Sequence, residues 1–410
     1  MRRRWFVAFF FLALLVRLGV AARTGKFQWV ERSETEVIAL NVVQHGEYSL
    51  YDTATAHSTP VFPLMLAAVF QLFGTGLLAQ AVNATLACTV SALRCALIPL
   101  FAIDAGLDSG VGVLAGAIGV LYIGSIDTEV SGKFDGPYVA LALLLLVWAA
   151  MRIWRDGRWQ TGTPWWFFAL CGFSSLLNPS LLPVIGGFLL AGMVASPANL
   201  RKRYLRQVAL AAAGILVFLL PWAVRNSISM GAPILTRSNF GIEFWVSNGP
   251  DRSYDLPNNA GDMLHPSGHM AETAKVAELG EVEYNRIRFA ETVEWIRGNP
   301  GAFLALTAKR FIGWWFPRHP LLLVAPKMVL TLLAFAGLWV MFRRQKLPAW
   351  LILITWLTFS DVYYVVQWIG RYRTPMDWQL LLCASAAIFA LWQTAVRTRH
   401  RADRNVSAVA

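Results

Sequence analysis

Charge is scarce in this 410-residue chain: Asp, Glu, Lys and Arg together make up 15%, where soluble proteins carry about 25%. Set against 56% apolar residues and a mean hydropathy of +0.49, that poverty excludes an ordinary soluble enzyme and a disordered chain. Cysteine is scarcer still. Cys88, Cys95, Cys171 and Cys383 all lie inside apolar runs, so they read as small packing residues, and no disulfide framework is indicated. Internal repeats and low-complexity linkers are lacking, which leaves one domain, 1–410, as the simplest organisation. Of the two signs of charge the acidic one is short, 24 residues against 36 Lys and Arg, for a net +12. In a soluble protein that excess would suggest nucleic acid or an anionic surface, so its placement decides.

What the chain has instead is apolar runs near the ~20 residues that a spanning helix needs. They cover 5–22, 77–102, 110–126, 137–151, 164–178, 181–196, 208–225, 320–342, 347–366 and 374–396, with 59–74 borderline. The start, Arg2-Arg3-Arg4 before WFVAFFFLALLV and Val20-Ala21-Ala22, imitates a cleaved signal peptide. Arg17 interrupts its apolar region and many runs follow, so an uncleaved first helix is expected.

Lys and Arg beside the runs set the orientation, because short loops rich in them stay in the cytosol. If 59–74 lies against the outer leaflet, seventeen basic residues fall inside: Arg2–Arg4, Arg152–Arg158, Arg201–Arg206, Arg343–Lys346 and the 397–410 tail supply them. The short outer loops then hold six: Arg23, Lys26, Arg32, Lys133, Arg371 and Arg373. The expected fold is all-α, a polytopic bundle of about ten spans in the inner membrane with both termini cytosolic and amphipathic helices on the outer face. The excess charge is thus an orientation signal and gives no reason to expect nucleic acid.

Two outer segments are long enough for chemistry, the first loop with its interfacial helices (23–76) and a large loop (226–319). In the large loop, a turn-rich stretch precedes a helix with the stripe Val282, Phe289, Val293 and Ile296, and Asn299-Pro300 starts a second helix. In the first loop, Glu31, Glu34 and Glu36 read either as an amphipathic helix, with Val37, Ile38 and Val42 toward lipid, or as a general base at the bilayer surface. Asp127, Glu129 and Asp135 form a second outer carboxylate group. Arg225, Arg237, Arg371 and Arg373 lie near outer ends of spans and suit a phosphate, which a guanidinium grips with two bonds. Arg17 and Lys327 are expected to snorkel to the surface, whereas Arg94 sits well inside a span without a visible partner, a functional candidate by default. His265, His269 and Glu272 have helical metal-ligand spacing, but Pro266 and Gly268 argue for a turn, so no metal ligands are assigned.

In matching order, several stretches resemble a known family: LALLVRL, ERSETEVIALNVVQHGEYS, STPVFPLMLAAVFQLFG, GFSSLLNPSLLP, LLPWAVRNSISMGAPILTRSNFGIEFWVSNGP, LGEVEYNRIRFAETVEWIRGNPGAFLALTAKRFIGWWF and YYVVQWIGRYRTP. They are similar to bacterial membrane glycosyltransferases of family 39, in the GT-C superfamily, with the protein O-mannosyltransferases and the lipid A aminoarabinose transferase. The resemblance implies a glycosyltransferase of hexosyl or pentosyl type that takes its sugar from a polyprenyl phosphate and passes it to a lipid, glycan or protein acceptor. It implies a first-loop carboxylate as base, best matched by Glu34 ahead of Glu36 and Glu31, with Asp127 in the second acidic loop. Relatives carry an Asp or an Asp-Glu pair there, whereas here three Glu are spread over six positions. It also implies phosphate binding by Arg371 and Arg373 of the RYR element and Arg225 of PWAVRN. Nothing requires a cofactor, and a divalent cation is compatible with these residues. A transporter or flippase for a lipid-linked sugar is the rival reading, although the single long outer loop breaks the two-half symmetry common in transporters. A non-catalytic membrane scaffold is the third.

Overall fold

A computed structural model of the chain describes residues 2–28, 32–254, 259, 261–318 and 321–407. Glu31 lies outside them. The first half runs α1 (Arg2–Arg23), α2 (Glu34–His45), a hairpin of β1 (Ser49–Leu50) and β2 (Thr53–Ala54), α3 (Val61–Phe73), α4 (Leu77–Asp104), α5 (Ser109–Leu121), α6 (Ile126–Glu129), α7 (Gly136–Arg155), α8 (Arg158–Thr161), α9 (Trp165–Leu177) and α10 (Leu181–Ala195). The second half runs α11 (Arg201–Met230), α12 (Phe240–Ser247), α13 (Met270–Leu279), α14 (Glu281–Gly298), α15 (Pro300–Trp315), α16 (Val324–Arg344), α17 (Lys346–Thr358), α18 (Val362–Val365), α19 (Gly370–Arg373) and α20 (Asp377–Ser407). The expected all-α polytopic bundle is the fold observed. The segment from 397 onward continues α20 as helix through Ser407.

Among the described residues, seven helices are long and apolar enough to cross a membrane: α1, α4, α7, α11, α16, α17 with α18, and α19 running into α20. The other three expected spans, α5, α9 and α10, are shorter, at 13, 13 and 15 residues. At 1.5 Å per residue they rise only about 20–22 Å, against a hydrocarbon core of about 30 Å. The loop after α5 and the Asn178-Pro179 turn between α9 and α10 both line one depression. Charge clusters mark the opposite end of the bundle, where Arg152 and Arg155 of α7 pair with Asp104 at the end of α4.

Local chemistry sets the elements around the depression. Ser33 starts α2 in a capping box, its N–H and hydroxyl donating to Glu36 Oε2 at 2.9 and 3.0 Å, and Gly46 ends the helix in the left-handed region at φ 71. The β1–β2 turn uses Tyr51 and Asp52, both left-handed at φ 56 and 59, as a two-residue hairpin of this hand requires. The loop after α5 lies against α4 at Gly132, where φ is +69 and a Cβ would come within 2.7 Å of the Ala84 backbone nitrogen.

Three expectations are corrected by packing. Ile38 faces protein rather than lipid, fully buried among Tyr48, Leu50, Ala56 and Trp222. Arg17 and Lys327 do not snorkel; both are buried. Arg17 donates to Ser91 Oγ at 2.6 Å and pairs with Glu129 Oε2 at 2.9 Å, while Arg94, partnerless in sequence, meets Glu129 Oε1 at 2.6 Å. Glu129 thus joins two intramembrane arginines and ties α6 to α1 and α4. Deleting one member of such a group leaves a buried charge uncompensated, at a cost of about 3–5 kcal/mol. In the large loop, Phe289 of the α14 stripe stacks on Phe244 of α12, with ring centroids 5.8 Å apart, and stays 43% exposed.

Candidate active site

The depression is a cavity of about 430 Å³ that reaches from the start of α2 to α19. Its wall alternates aromatic rings (Phe62, Phe134, Phe240, Tyr363 and Tyr372) with charged groups.

Glu34, at the first position of α2, opens into it with 30% of the side chain exposed. His57, from the segment after β2, brings Nε2 to 3.2 Å from Glu34 Oε2; His265 of the large loop brings Nδ1 to 3.8 Å from Oε1. The Tyr51 hydroxyl donates to Oε1, which explains the use of a bulky residue in a left-handed turn position. Behind His265, Glu243 of α12 lies 3.8 Å from Nε2. Burial alone would raise the Glu34 pKa, but the two imidazoles and the Tyr51 hydroxyl outweigh it and hold the carboxyl well below the ordinary range. His57 is moved the opposite way: burial disfavours its charge, Glu34 and then Glu281 favour it, and its pKa ends above the usual value. Each partner thus favours the charged form of the other.

Two of the four expected arginines line the same cavity. Arg371 lies over the Phe134 ring at 3.8 Å and beside Tyr372. Arg237 approaches Asp135 Oδ2 at 3.9 Å, and its buried Nε has no hydrogen-bond partner among the described residues. Asp135 is held in turn by Asn178 of the α9–α10 turn, which donates to Oδ2 at 2.8 Å.

The remaining expected residues lie elsewhere. Arg225 donates to the Tyr48 and Thr55 carbonyls at 2.6 and 2.7 Å and stacks on Tyr48 and Trp222. Arg373 is buried, bonded to the Trp314 carbonyl at 3.1 Å and near Asp377. Both guanidiniums are consumed by structure and neither lines the cavity, which corrects their expected place at a phosphate. Glu36 is buried in the α2 cap, so its carboxylate is turned from the cavity as well. Asp127 is exposed and pairs with Lys26 at 3.0 Å.

Sequence reasoning missed His57, Glu243 and Tyr51, and it set His265 aside. The turn argument at Pro266-Gly268 holds for His269, which caps α13, and for Glu272, which pairs with Lys275 and Arg288. It could not show that His265 would face Glu34. Glu34, His57 and His265 carry donor atoms within 4.8 Å of one another and could hold a metal ion. A carboxylate with two imidazoles suits a divalent ion such as Zn²⁺, and the second His57 nitrogen, buried without a partner among the described residues, leaves the ring unconstrained on that side.

No protein-family profile and no curated protein sequence matches the chain. Among solved structures, it is similar to the archaeal oligosaccharyltransferase AglB from Archaeoglobus fulgidus, solved with an inhibitory peptide and a dolichol-phosphate. The TM-score is 0.50 at 13% identity, over 98% of this chain. At that identity the likeness is one of fold alone. The chain spans about half the length of that enzyme, 52%.

Proposed function

We propose that the protein is a glycosyltransferase, akin to family 39, that moves a sugar from a polyprenyl phosphate to a hydroxyl or amine of a lipid, glycan or protein acceptor on the outer, periplasmic face. The observation that carries this reading is one cavity lined both by Glu34, a carboxylate held below its ordinary pKa, and by two arginines, Arg237 and Arg371. That is the division of labour a single displacement needs. Glu34 accepts the acceptor's hydrogen bond while the nucleophile attacks the anomeric carbon from the face opposite the phosphate, which gives inversion. Because Glu34 is held below its ordinary pKa, it is a weak base; proton transfer accompanies bond formation rather than preceding it. Arg237 and Arg371 stabilise the phosphate charge as the C–O bond to the lipid carrier breaks, and fixed charge is most effective where water is scarce. Aromatic rings on the wall offer flat apolar faces to the sugar. A divalent ion, if held by Glu34, His57 and His265, would supply a Lewis acid beside the acceptor oxygen.

The decisive test is Glu34→Gln in membranes supplied with a panel of polyprenyl-phosphate sugars. Transfer and release of polyprenyl phosphate are expected to vanish at unchanged expression; a fully active variant sinks the assignment of Glu34. A wild-type protein that moves the lipid-linked sugar across the membrane without forming a glycosidic bond would favour the flippase reading.

A further inference from the structure

Glu281, the first residue of α14, is not among the residues that line the cavity of Glu34, yet its carboxylate is buried at 2% exposure and bonded to two segments distant in sequence. Oε1 accepts the Ala56 N–H at 3.1 Å and the Ser238 hydroxyl; Oε2 accepts the Thr55 hydroxyl. Thr55 Oγ1 in turn accepts the N–H of His57 at 2.9 Å. The Ser238 N–H donates to the Ala56 carbonyl at 3.0 Å, so the two segments also touch each other. On the other side of the same turn, Arg225 grips the Thr55 carbonyl. One segment presents His57 to Glu34; the other presents Arg237 to the cavity.

We propose that Glu281 is a positioning residue that couples the two halves of the site, fixing the acceptor-side pair Glu34–His57 and the phosphate-side Arg237 relative to each other. The physical ground is that one oxygen, Oε1, serves both segments, so neither can shift without the other or without leaving a buried carboxylate short of a donor. A buried carboxylate stripped of donors is expensive, which makes the joint geometry stiff. The substrate side of this inference rests on the function proposed above; the joining of the two segments does not.

The test compares wild type, Glu281→Ala, Glu281→Gln, Arg237→Ala and the Glu281→Ala/Arg237→Ala double variant as full-length protein in nanodiscs. Hydrogen exchange by mass spectrometry reads the segments, and undecaprenyl phosphate is the binding probe. Glu281→Ala should raise exchange in peptides covering 53–58 and 236–240 together. It should weaken undecaprenyl phosphate binding about 10-fold, the loss expected for one charge-assisted hydrogen bond at Arg237. Since it acts through Arg237, the double variant should bind within about 2-fold of Arg237→Ala. Glu281→Gln keeps the shared oxygen and should rescue most of the affinity. Exchange that rises in only one segment, or binding losses that multiply in the double variant, overturns the coupling. If joint deprotection is seen but wild type binds no undecaprenyl phosphate, the coupling stands and the functional reading falls. Should Glu281→Ala fail to fold, Ser238→Ala removes the hydroxyl bond to Oε1 from the 236–240 side, and deprotection at 236–240 that leaves 53–58 unchanged would count against the proposal.

Discussion

At the scale of single residues, the cavity sorts four similar arginines into two kinds. Arg237 and Arg371 line the cavity, whereas Arg225 and Arg373 donate to backbone carbonyls. Arg371→Ala and Arg237→Ala should therefore raise the KM for a polyprenyl-phosphate donor at least about 10-fold each, with little change in thermal stability, the scale of a lost charge-assisted contact. Arg373→Ala should do the reverse, lowering the unfolding temperature because the Trp314 carbonyl loses its donor. Sequence placed all four near the same bundle end but had no means of separating them, since which way a guanidinium turns depends on carbonyls contributed by distant helices. Glu34 was legible only through the ETEVIA resemblance. His57, Glu243 and His265 were not legible as a group, because their meeting is made by a hairpin, a short helix and a loop spread along the first two-thirds of the chain.

At the scale of elements, the readable features were those written in hydropathy and punctuation: the long apolar runs, the Asn178-Pro179 turn and the Asn299-Pro300 helix start. Unreadable were the close approaches. Gly132 is one, and Gly132→Ala should force the loop after α5 away from α4 and move Lys133, Phe134 and Asp135 in the cavity wall. The expected result is a loss of donor transfer larger than the loss of stability, measured as kcat/KM against unfolding temperature in the same preparation. A second element-scale prediction concerns the α13–α14 pair, where Glu272 bonds Lys275, Tyr284 and Arg288. Burial opposes its ionisation, but these three partners prevail and lower its pKa to about 2. A depressed carboxyl adds stability above its unfolded pKa of about 4.5 and loses it as pH falls toward the folded value. Cap unfolding, followed by hydrogen exchange of α13 and α14, should steepen between pH 4.5 and about 2 in the wild type and be flatter over that window in Glu272→Gln.

For the whole molecule, the fold was the most legible level, because a bilayer demands long apolar helices and leaves few alternatives. The runs 164–178 and 181–196 are already short for two crossings, as α9 and α10 prove to be, whereas the run 110–126 did not convey that α5 falls short. The orientation inferred from Lys and Arg makes a clear prediction. In a variant lacking the four native cysteines, Glu278→Cys on the exposed face of α13 should react with a membrane-impermeant maleimide in intact cells, and Arg155→Cys only after permeabilisation. Labelling in the opposite order would invert the topology and move the cavity to the cytosolic face.

The shortness of those three helices also bears on how the protein would meet a lipid-carried donor. Helices that rise about 20–22 Å against a hydrocarbon core of about 30 Å would leave a cavity at their outer ends within reach of the carrier's own chain. Encounter then takes place in two dimensions, so the quantity that governs turnover is the number of donor molecules per unit area of one leaflet. Diluting the membrane with inert lipid at constant total donor should slow the reaction, while diluting the buffer should not.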